Sequence, residues 1–261
     1  MKKYLVIGNP IEHSLSPKLH NYWFKINNIE ANYDKKLIEE DQVESVIKDI
    51  RKGNISGINI TVPHKQTILK FCDELTPVVK KIKSVNTIYK INNKVIGDNT
   101  DAGGFEESLK HIKYSLKGKK IFLLGAGGVA PSLIYSLQKL GALEITISNR
   151  TVEKAENLKN IFTELRVIKW GETVDFDMII NATSLGLKNN DIIDLEYNKI
   201  RSKFFFDVIY NPVKTNFLKE AEKSGNKIEN GKLMFIYQAQ LAFQLWHGLK
   251  PKIDNNVLSL I

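Results

Sequence analysis

Short hydrophobic runs alternate with segments of helical periodicity along the whole chain. The runs in the first hundred residues predict strands, at 4–7, 31–37, 58–62 and 85–89. Between them, 17–26 and 42–51 carry apolar residues at the spacing of an amphipathic helix. Strands that alternate with helices indicate a mostly parallel sheet with crossover helices.

A second alternation of the same kind begins after 117–120. Its hydrophobic runs predict strands at 121–124, 143–148, 178–181 and 204–208. Helical patterns follow the first two of these strands, at 129–140 and 152–162. The second half of the chain therefore has the pattern of another α/β unit.

The length of 261 residues is sufficient for two domains with separate cores. The helical segment 234–246 is too apolar for a solvated surface, which suggests that the end of the chain returns to the first unit. We predict an α/β protein of two domains. The first, at 1–101 plus 238–261, has a mostly parallel sheet, and the second, at 102–237, is a doubly wound domain of Rossmann type.

A glycine-rich loop stands between the strand at 121–124 and the next helix, with the sequence Gly125-Ala126-Gly127-Gly128-Val129-Ala130. Gly125 permits a tight turn, Gly127 allows the backbone to approach a pyrophosphate, and Ala130 allows close packing of helix on strand. The start of the helix offers unpaired N–H groups and the positive end of its dipole to phosphates. The loop in this context predicts a dinucleotide site.

The next strand ends in Asn149-Arg150-Thr151, where an NAD-binding domain usually has an acidic residue for the ribose 2′-hydroxyl. A guanidinium at Arg150 can pair with a 2′-phosphate, and the absence of a carboxylate removes repulsion. Thr151 can cap the following helix and donate to the phosphate, and Lys154 lies one turn further on. These residues predict NADP as the cofactor.

Polar residues follow the predicted strands of the first domain. The hydroxyls of Ser14 and Ser16 can converge on a carboxylate, although Ser16 is also a candidate helix N-cap. Asn59 and Thr61 share one face of the strand at 58–62, and Lys65 lies just beyond it. The carboxyl-end edge of an open α/β sheet is where ligands bind, so we predict a substrate site here.

The motifs of both halves are, in chain order, 14–17, 59–65, 85–87, 97–104, 125–128, 149–151, 181–184 and 238–239. Together they resemble the shikimate dehydrogenase family, in the family's order and over nearly the whole chain. The resemblance implies a substrate domain and an NADP domain. It also implies the reversible, NADPH-dependent reduction of 3-dehydroshikimate to shikimate, a step of chorismate and aromatic amino-acid biosynthesis.

The resemblance also implies roles for single residues. Lys65 and Asp101 would form the catalytic pair, with Lys65 as the acid–base group. The substrate-binding residues would be Ser14, Ser16 and Tyr210 at the carboxylate, and Thr61, Asn86 and Gln238 at the ring hydroxyls. The cofactor-binding residues would be Gly125, Ala126, Gly127, Gly128, Val129, Ala130, Asn149, Arg150, Thr151, Lys154, Thr183, Val208, Gly231 and Met234, the last beside the nicotinamide. Two places depart from the usual family pattern, Lys232-Leu233 and Pro131.

The formal net charge of +9 raises the possibility of a nucleic-acid partner. The lysines are scattered, however, and a positive field also favours an anionic substrate and a phosphorylated cofactor. We therefore predict small-molecule partners and no nucleic acid, with the protein a monomer or a homodimer.

Metal and membrane sites are not expected. The five histidines lack ligand spacing, and we expect His13, His64 and His111 to face solvent or to lie beside the site. Cys72 is the only cysteine, so no internal disulfide forms. The apolar runs are too short to span a bilayer, and the first is too short for a signal peptide, which together predict a cytoplasmic enzyme.

Two alternatives remain open at this point. One is a quinate/shikimate dehydrogenase with a relaxed choice of substrate or cofactor. The other is a catalytically silent protein that binds NADP as a sensor, against which the presence of Lys65 and Asp101 argues. A turnover assay with shikimate and NADP distinguishes them.

Overall fold

The computed structural model describes residues 1–188 and 190–261, and their contacts divide the chain into two compact units. The first contains Met1–Gly104 and Ile236–Ile261, and the second contains Phe105–Phe235. The helices of the described residues are α1 (Ser16–Ile26), α2 (Val43–Lys52), α3 (Pro77–Ile82), α4 (Thr100–His111), α5 (Ala130–Lys139), α6 (Val152–Lys159), α7 (Asn216–Lys223), α8 (Lys232–His247) and α9 (Asn255–Leu260). Both unit boundaries fall within helices, α4 and α8, a few residues from the predicted positions.

The first unit contains a six-stranded sheet. Its strands are β1 (Lys2–Gly8), β2 (Ala31–Leu37), β3 (Gly57–Ile60), β4 (Glu74–Leu75), β5 (Thr87–Ile91) and β6 (Lys94–Asp98). They lie in the order β2-β1-β3-β5-β6-β4. β1 runs parallel to β2 and β3, and β4 runs parallel to β6, so the sheet is rich in parallel pairs as predicted.

Strand β5 departs from the parallel pattern, because it runs antiparallel to both β3 and β6. A two-residue turn, Asn92-Asn93, joins β5 to β6, with φ angles of 49° and 64°. Positive φ at both central residues belongs to the type I′ turn, whose twist suits a hairpin, and asparagine tolerates it better than most residues.

The two faces of this sheet bury different side chains. On β1, Leu5 and Ile7 belong to an aliphatic core that also includes residues of α2. Tyr4 precedes Leu5 and therefore faces the opposite side of the sheet. There it joins an aromatic cluster, with its ring centroid 4.8 Å from that of Trp246 on α8. Helix α8 is apolar on most of its surface because it is buried, as predicted for 234–246.

The second unit contains another six-stranded sheet. Its strands are β7 (Lys120–Leu124), β8 (Glu144–Ser148), β9 (Arg166–Ile168), β10 (Met178–Asn181), β11 (Phe204–Asp207) and β12 (Lys227–Glu229). The order is β12-β11-β10-β7-β8-β9, and every adjacent pair is parallel. This is the doubly wound order, in which the strand sequence reverses beside β7, and it is of Rossmann type as predicted.

Several local predictions need correction. Ser16 is not the N-cap of α1 but its first residue, and Leu15 occupies the cap position without a side-chain bond. Strand β3 ends at Ile60, so Thr61 lies outside the strand, although its N–H still bonds Ile7 O at 2.9 Å.

No helix of the described residues is long and apolar enough to cross a membrane.

Candidate active site

A buried ion pair joins two residues that are 36 positions apart in the chain. Lys65 follows β3 in a turn, and Asp101 is the second residue of α4. Lys65 Nζ lies 2.5 Å from Asp101 Oδ2, and each residue is only 8% exposed. The structure therefore brings together the two residues predicted as the catalytic pair. Burial makes the pair costly to break, since removal of one partner leaves an uncompensated charge.

Asn86 holds the other oxygen of this carboxylate. Its Nδ2 donates to Asp101 Oδ1 at 2.8 Å and to Thr100 Oγ1 at 3.0 Å. Its Oδ1 accepts from the backbone N–H of Thr100 at 2.7 Å, which fixes the sense of the amide. Both amide hydrogens are thus used, and a substrate hydroxyl that bound Asn86 would have to replace one of these bonds.

The pair has the chemistry of a proton donor held in place. An ammonium has three hydrogens, and Lys65 directs one of them to Asp101. Among the described residues the other two hydrogens have no partner, so a ligand oxygen that gains negative charge can accept them. Asp101 lies in the first turn of α4, where the helix dipole favours a carboxylate.

The residues predicted to bind the substrate carboxylate lie at the start of α1. Ser14 is half-buried, and its Oγ accepts from the backbone N–H of Ser16 at 3.4 Å. Ser16 is buried in the first turn of α1, which contains no acidic residue. An anion at this helix end would meet unpaired N–H groups and the positive end of the dipole.

Two further predicted substrate residues also belong to the first unit. Thr61 is half-buried, and its methyl group approaches Gly8 so closely that an added Cβ there would lie 2.4 Å from it. Gln238 is half-buried on α8. The roles of Thr61 and Gln238 at the substrate stay predictions.

The histidines differ in part from expectation. His13 and His111 are exposed, but His64 is buried, and its Nε2 bonds Ile38 O at 2.9 Å. Of the two expected places, solvent or beside the site, solvent does not apply to His64, which ties the turn before Lys65 to the end of β2. No group of three or more His, Cys, Asp or Glu side chains in the described part of the chain could hold a metal ion.

In the second unit the glycine loop follows β7 as predicted. Gly125 has φ of +105°, and a Cβ there would lie 2.7 Å from Ala182 O, so only glycine fits. The α-carbon of Gly127 faces open space, with its nearest atom 3.9 Å from an added Cβ, which leaves room for a phosphate. Ala130, the first residue of α5, is fully buried, and Pro131 is accommodated in the first turn. This geometry fits a dinucleotide pyrophosphate.

Asn149 connects this loop to the segment after β8. Its Oδ1 accepts from Ala126 N at 3.0 Å, and its Nδ2 donates to Thr151 O at 2.7 Å. Arg150, Thr151 and Lys154 are exposed, so their polar groups are accessible to a ligand. Thr151 occupies the N-cap position of α6, but its hydroxyl makes no capping bond, contrary to expectation.

Two residues without a predicted role support the loops after β10 and β11. Asn181 Nδ2 donates to Asp207 Oδ1 at 3.1 Å, and Thr183 Oγ1 donates to Asn181 Oδ1 at 2.7 Å. Asp207 Oδ2 accepts from Thr215 Oγ1 at 2.6 Å, and burial raises the pKa of this carboxyl to about 6. Val208 N bonds Asn181 O at 3.0 Å. The sequence signal that could have identified Asn181 and Asp207 is a polar residue at the end of a buried strand.

The remaining predicted residues of the second unit lie after β11 and at the start of α8. Tyr210 stacks on Phe235, with ring centroids 4.4 Å apart. A Cβ at Gly231 would lie 2.0 Å from Val208 O, so glycine is required there. Met234 is buried on α8.

Comparison with known proteins identifies the family. The model of the "Shikimate dehydrogenase substrate binding domain" matches residues 6–88, and that of "Shikimate / quinate 5-dehydrogenase" matches residues 107–216. A shikimate dehydrogenase (NADP(+)) of Pelagibacter ubique is 55% identical over 261 residues, which is 100% of this chain and 98% of the relative.

Solved structures agree with this result. A shikimate dehydrogenase in complex with NADP+ has a TM-score of 0.93 and 36% identity, and the match covers 100% of this chain and 94% of the other. A shikimate 5-dehydrogenase of Thermus thermophilus in complex with NADP(H) and shikimate has a TM-score of 0.87 and 32% identity, with 97% and 95% covered. The chain therefore belongs to the shikimate dehydrogenase family.

Proposed function

We propose that this protein catalyses the reversible, NADPH-dependent reduction of 3-dehydroshikimate to shikimate, in the shikimate pathway of aromatic amino-acid biosynthesis. The observation that carries the proposal is the buried Lys65–Asp101 pair, with 2.5 Å between Nζ and Oδ2, in a chain with 55% identity to an NADP-dependent shikimate dehydrogenase. A protein that only sensed NADP would gain nothing from this pair.

Lys65 is the acid–base group in this proposal. Bound NADPH supplies the hydride that adds to the carbonyl carbon of the substrate. The carbonyl oxygen then gains negative charge, which the Lys65 ammonium stabilises before it donates a proton to that oxygen. In the reverse direction neutral Lys65 accepts the proton of the hydroxyl. Asp101 keeps Nζ in one position and can accept a hydrogen bond from a substrate hydroxyl.

The residues that recognise the substrate are assigned from the resemblance to the family. We assign the carboxylate to Ser14 and Ser16, at the positive end of α1. The ring hydroxyls are assigned to Thr61, Asn86 and Gln238. Tyr210 is assigned an auxiliary role at the carboxylate, by resemblance alone.

NADP is assigned to the second unit. The pyrophosphate would contact the backbone of 125–130 at the start of α5, and the 2′-phosphate would contact Arg150, Thr151 and Lys154, which are exposed after β8. Asn149 holds these two segments together through its bonds to Ala126 and Thr151. Thr183, Val208, Gly231 and Met234 would line the rest of the cofactor.

The test is steady-state oxidation of shikimate with NADP, followed by absorbance of the reduced cofactor. We expect turnover with shikimate and NADP, and a lower kcat/KM when NAD replaces NADP or quinate replaces shikimate. Quinate is the second candidate substrate, because the "Shikimate / quinate 5-dehydrogenase" model matches residues 107–216. A preference for quinate would therefore change the assigned substrate. Binding of NADP without turnover of either acid would indicate the sensor instead.

The finer assignments follow from the sequence. We propose a cytoplasmic enzyme that acts on a small molecule, without nucleic acid, as a monomer or a homodimer. Scattered lysines and a single cysteine support this assignment. Sedimentation equilibrium of the purified protein would determine the oligomeric state.

A further inference from the structure

A continuous chain of buried hydrogen bonds runs from the core of the first unit to the catalytic pair. Tyr33, on β2, donates its hydroxyl to Asn59 Oδ1 at 2.7 Å. Asn59 Nδ2 donates to Thr87 Oγ1 at 3.0 Å, and Thr87 lies 3.0 Å from Asn86 Oδ1. Asn86 then reaches Asp101 at 2.8 Å. The proposed reaction uses the last members of this chain and assigns nothing to its first three.

The directions of the bonds that Asn59 makes in this chain are fixed. Asn59 Nδ2 also faces the backbone oxygen of Asn86 at 3.2 Å, and a carbonyl oxygen can only accept. The other end of the amide, Oδ1, must therefore face Tyr33, whose hydroxyl must donate. Thr87 accepts from Asn59 and so directs its own hydrogen onward, to Asn86 Oδ1 or to Thr100 Oγ1 at 3.1 Å. Reversal of one amide would place like atoms against each other.

The Tyr33 ring is held in one plane. The imidazole of His20 stacks on it at a centroid distance of 4.3 Å and an interplanar angle of 2°. His20 is fully buried, and among the described residues neither of its ring nitrogens has a hydrogen-bond partner, so its contribution is through ring contact. Asn21 fixes the backbone of Tyr33 from the same helix, with bonds of 2.7 and 2.9 Å to its O and N. The hydroxyl thus has one position.

We propose that Tyr33 and Asn59 are positioning residues for the Lys65–Asp101 pair. They act through Thr87 and Asn86, whose amide is the group that holds Asp101 Oδ1. When the chain is intact, Asp101 receives one bond at each oxygen, and Lys65 Nζ has one location relative to the bound substrate. The inference rests on the proposed function, because it concerns the same reaction.

The decisive experiment compares two single-atom deletions, Tyr33→Phe and Tyr4→Phe. The two tyrosines are directly opposite each other on β2 and β1, both are 1% exposed, and both lie near Trp246. The Tyr4 hydroxyl faces the Ser56 side chain and not Asn59, so Tyr4→Phe is a matched control. Both variants should stay folded, because each removes only one hydroxyl from a buried ring.

Only Tyr33→Phe should slow the reaction. We expect kcat to fall about 3- to 10-fold, the equivalent of one hydrogen bond, with KM for shikimate and NADP within about twofold of wild type. Equal kcat in the two tyrosine variants would overturn the inference, as would a loss confined to KM. A wild-type protein without turnover would contradict the proposed function and this inference with it, whereas an active wild type with equal variants contradicts the inference alone.

A double-mutant cycle with Thr87→Val tests whether the effect travels through the chain. Valine keeps the shape of threonine and removes the hydroxyl between Asn59 and Asn86. If Tyr33 acts through Thr87, the double variant should lose much less activity than the product of the two single losses. Losses that simply multiply would mean that Tyr33 acts elsewhere.

Discussion

Replacement of Lys65 by methionine is the sharpest perturbation of the proposed reaction. Methionine keeps most of the stem and removes the ammonium that lies 2.5 Å from Asp101. Loss of a general acid–base group costs about 10²–10⁴-fold in kcat, which corresponds to about 3–5 kcal/mol of transition-state stabilisation. Shikimate affinity should change little, because its carboxylate and hydroxyls bind other residues.

The same substitution threatens the fold, and the structure shows why. Asp101 would be left 8% exposed without its cation, and removal of one partner from a buried pair costs about 3–5 kcal/mol. A domain has only about 5–15 kcal/mol of stability, so unfolding could mimic a catalytic defect. The double variant Lys65→Met/Asp101→Asn separates the two effects, because it also removes the stranded charge.

The assay measures kcat, shikimate binding and urea unfolding for wild type, the single variant and the double variant. We expect the double variant to regain most of the lost stability while kcat stays low. Lys94→Met is the control, since Lys94 and Glu74 are also 2.5 Å apart but their side chains are 59% and 53% exposed. Because the pair is exposed to solvent, the variant should leave stability and kcat nearly unchanged. Near-normal turnover in folded Lys65→Met protein would refute the role of Lys65 in proton transfer.

Three further predictions concern cofactor, substrate and pH. Arg150→Ala should weaken NADP binding about 10- to 100-fold and NAD binding little, and equal losses would make Arg150 structural. Ser16→Ala should raise KM for shikimate at least about tenfold with NADP affinity unchanged, whereas an unchanged KM would leave Ser16 only a helix residue. Burial, and secondarily the nearby His247, lowers the pKa of His20 to about 3 from 6.5, so the unfolded chain binds this proton first as the pH falls. Between pH 6.5 and about 3, His20 should therefore lower stability by up to about 1.4 kcal/mol per pH unit. Burial lowers the pKa of His247 to about 4 and adds a slope of the same sign, so His20→Phe should reduce the loss of stability from pH 7 to pH 5 in urea unfolding without abolishing it. The same loss in both proteins would contradict the assignment.

The core strands could be predicted from the sequence because burial on both faces leaves an uninterrupted apolar run. Strands β7, β10 and β11 are of this kind. The short edge strands β4 and β12 could not be predicted, because two or three residues show no periodicity. Their pairing depends on neighbours that are distant in sequence.

The antiparallel direction of β5 was missed although its signal was present. Asn92-Asn93 separates two short apolar segments by two residues, which is the spacing of a hairpin. The alternation of strands and helices in the first hundred residues predicts only a mostly parallel sheet and includes no strand at β6. Turn chemistry, and not hydrophobic period, decided this part of the topology.

The sequence identifies the catalytic pair better than it identifies Tyr33, the first residue of the hydrogen-bond chain behind that pair. The resemblance placed Lys65 and Asp101 in one site, but no local pattern could show that their side chains meet. Tyr33 and Tyr4 are both buried strand tyrosines, and nothing in their flanking residues distinguishes the one that bonds Asn59. The difference arises only when β1, β2 and β3 lie side by side in register.

Asparagine has the same structural task in both units. Asn59, Asn86, Asn149 and Asn181 each lie at or near the end of a strand, and each side chain both donates and accepts hydrogen bonds. A carboxamide provides a donor and an acceptor in one plane, and its hydrogens do not depend on pH. Asp207 is the contrast, because it only accepts, and burial raises its pKa to about 6. A site built on carboxamides keeps its hydrogen bonds during turnover, when Lys65 gives up and regains a proton, because an amide does neither. The proton chemistry of the first unit can therefore vary while the groups that position it stay fixed, which is the requirement for a preorganised site.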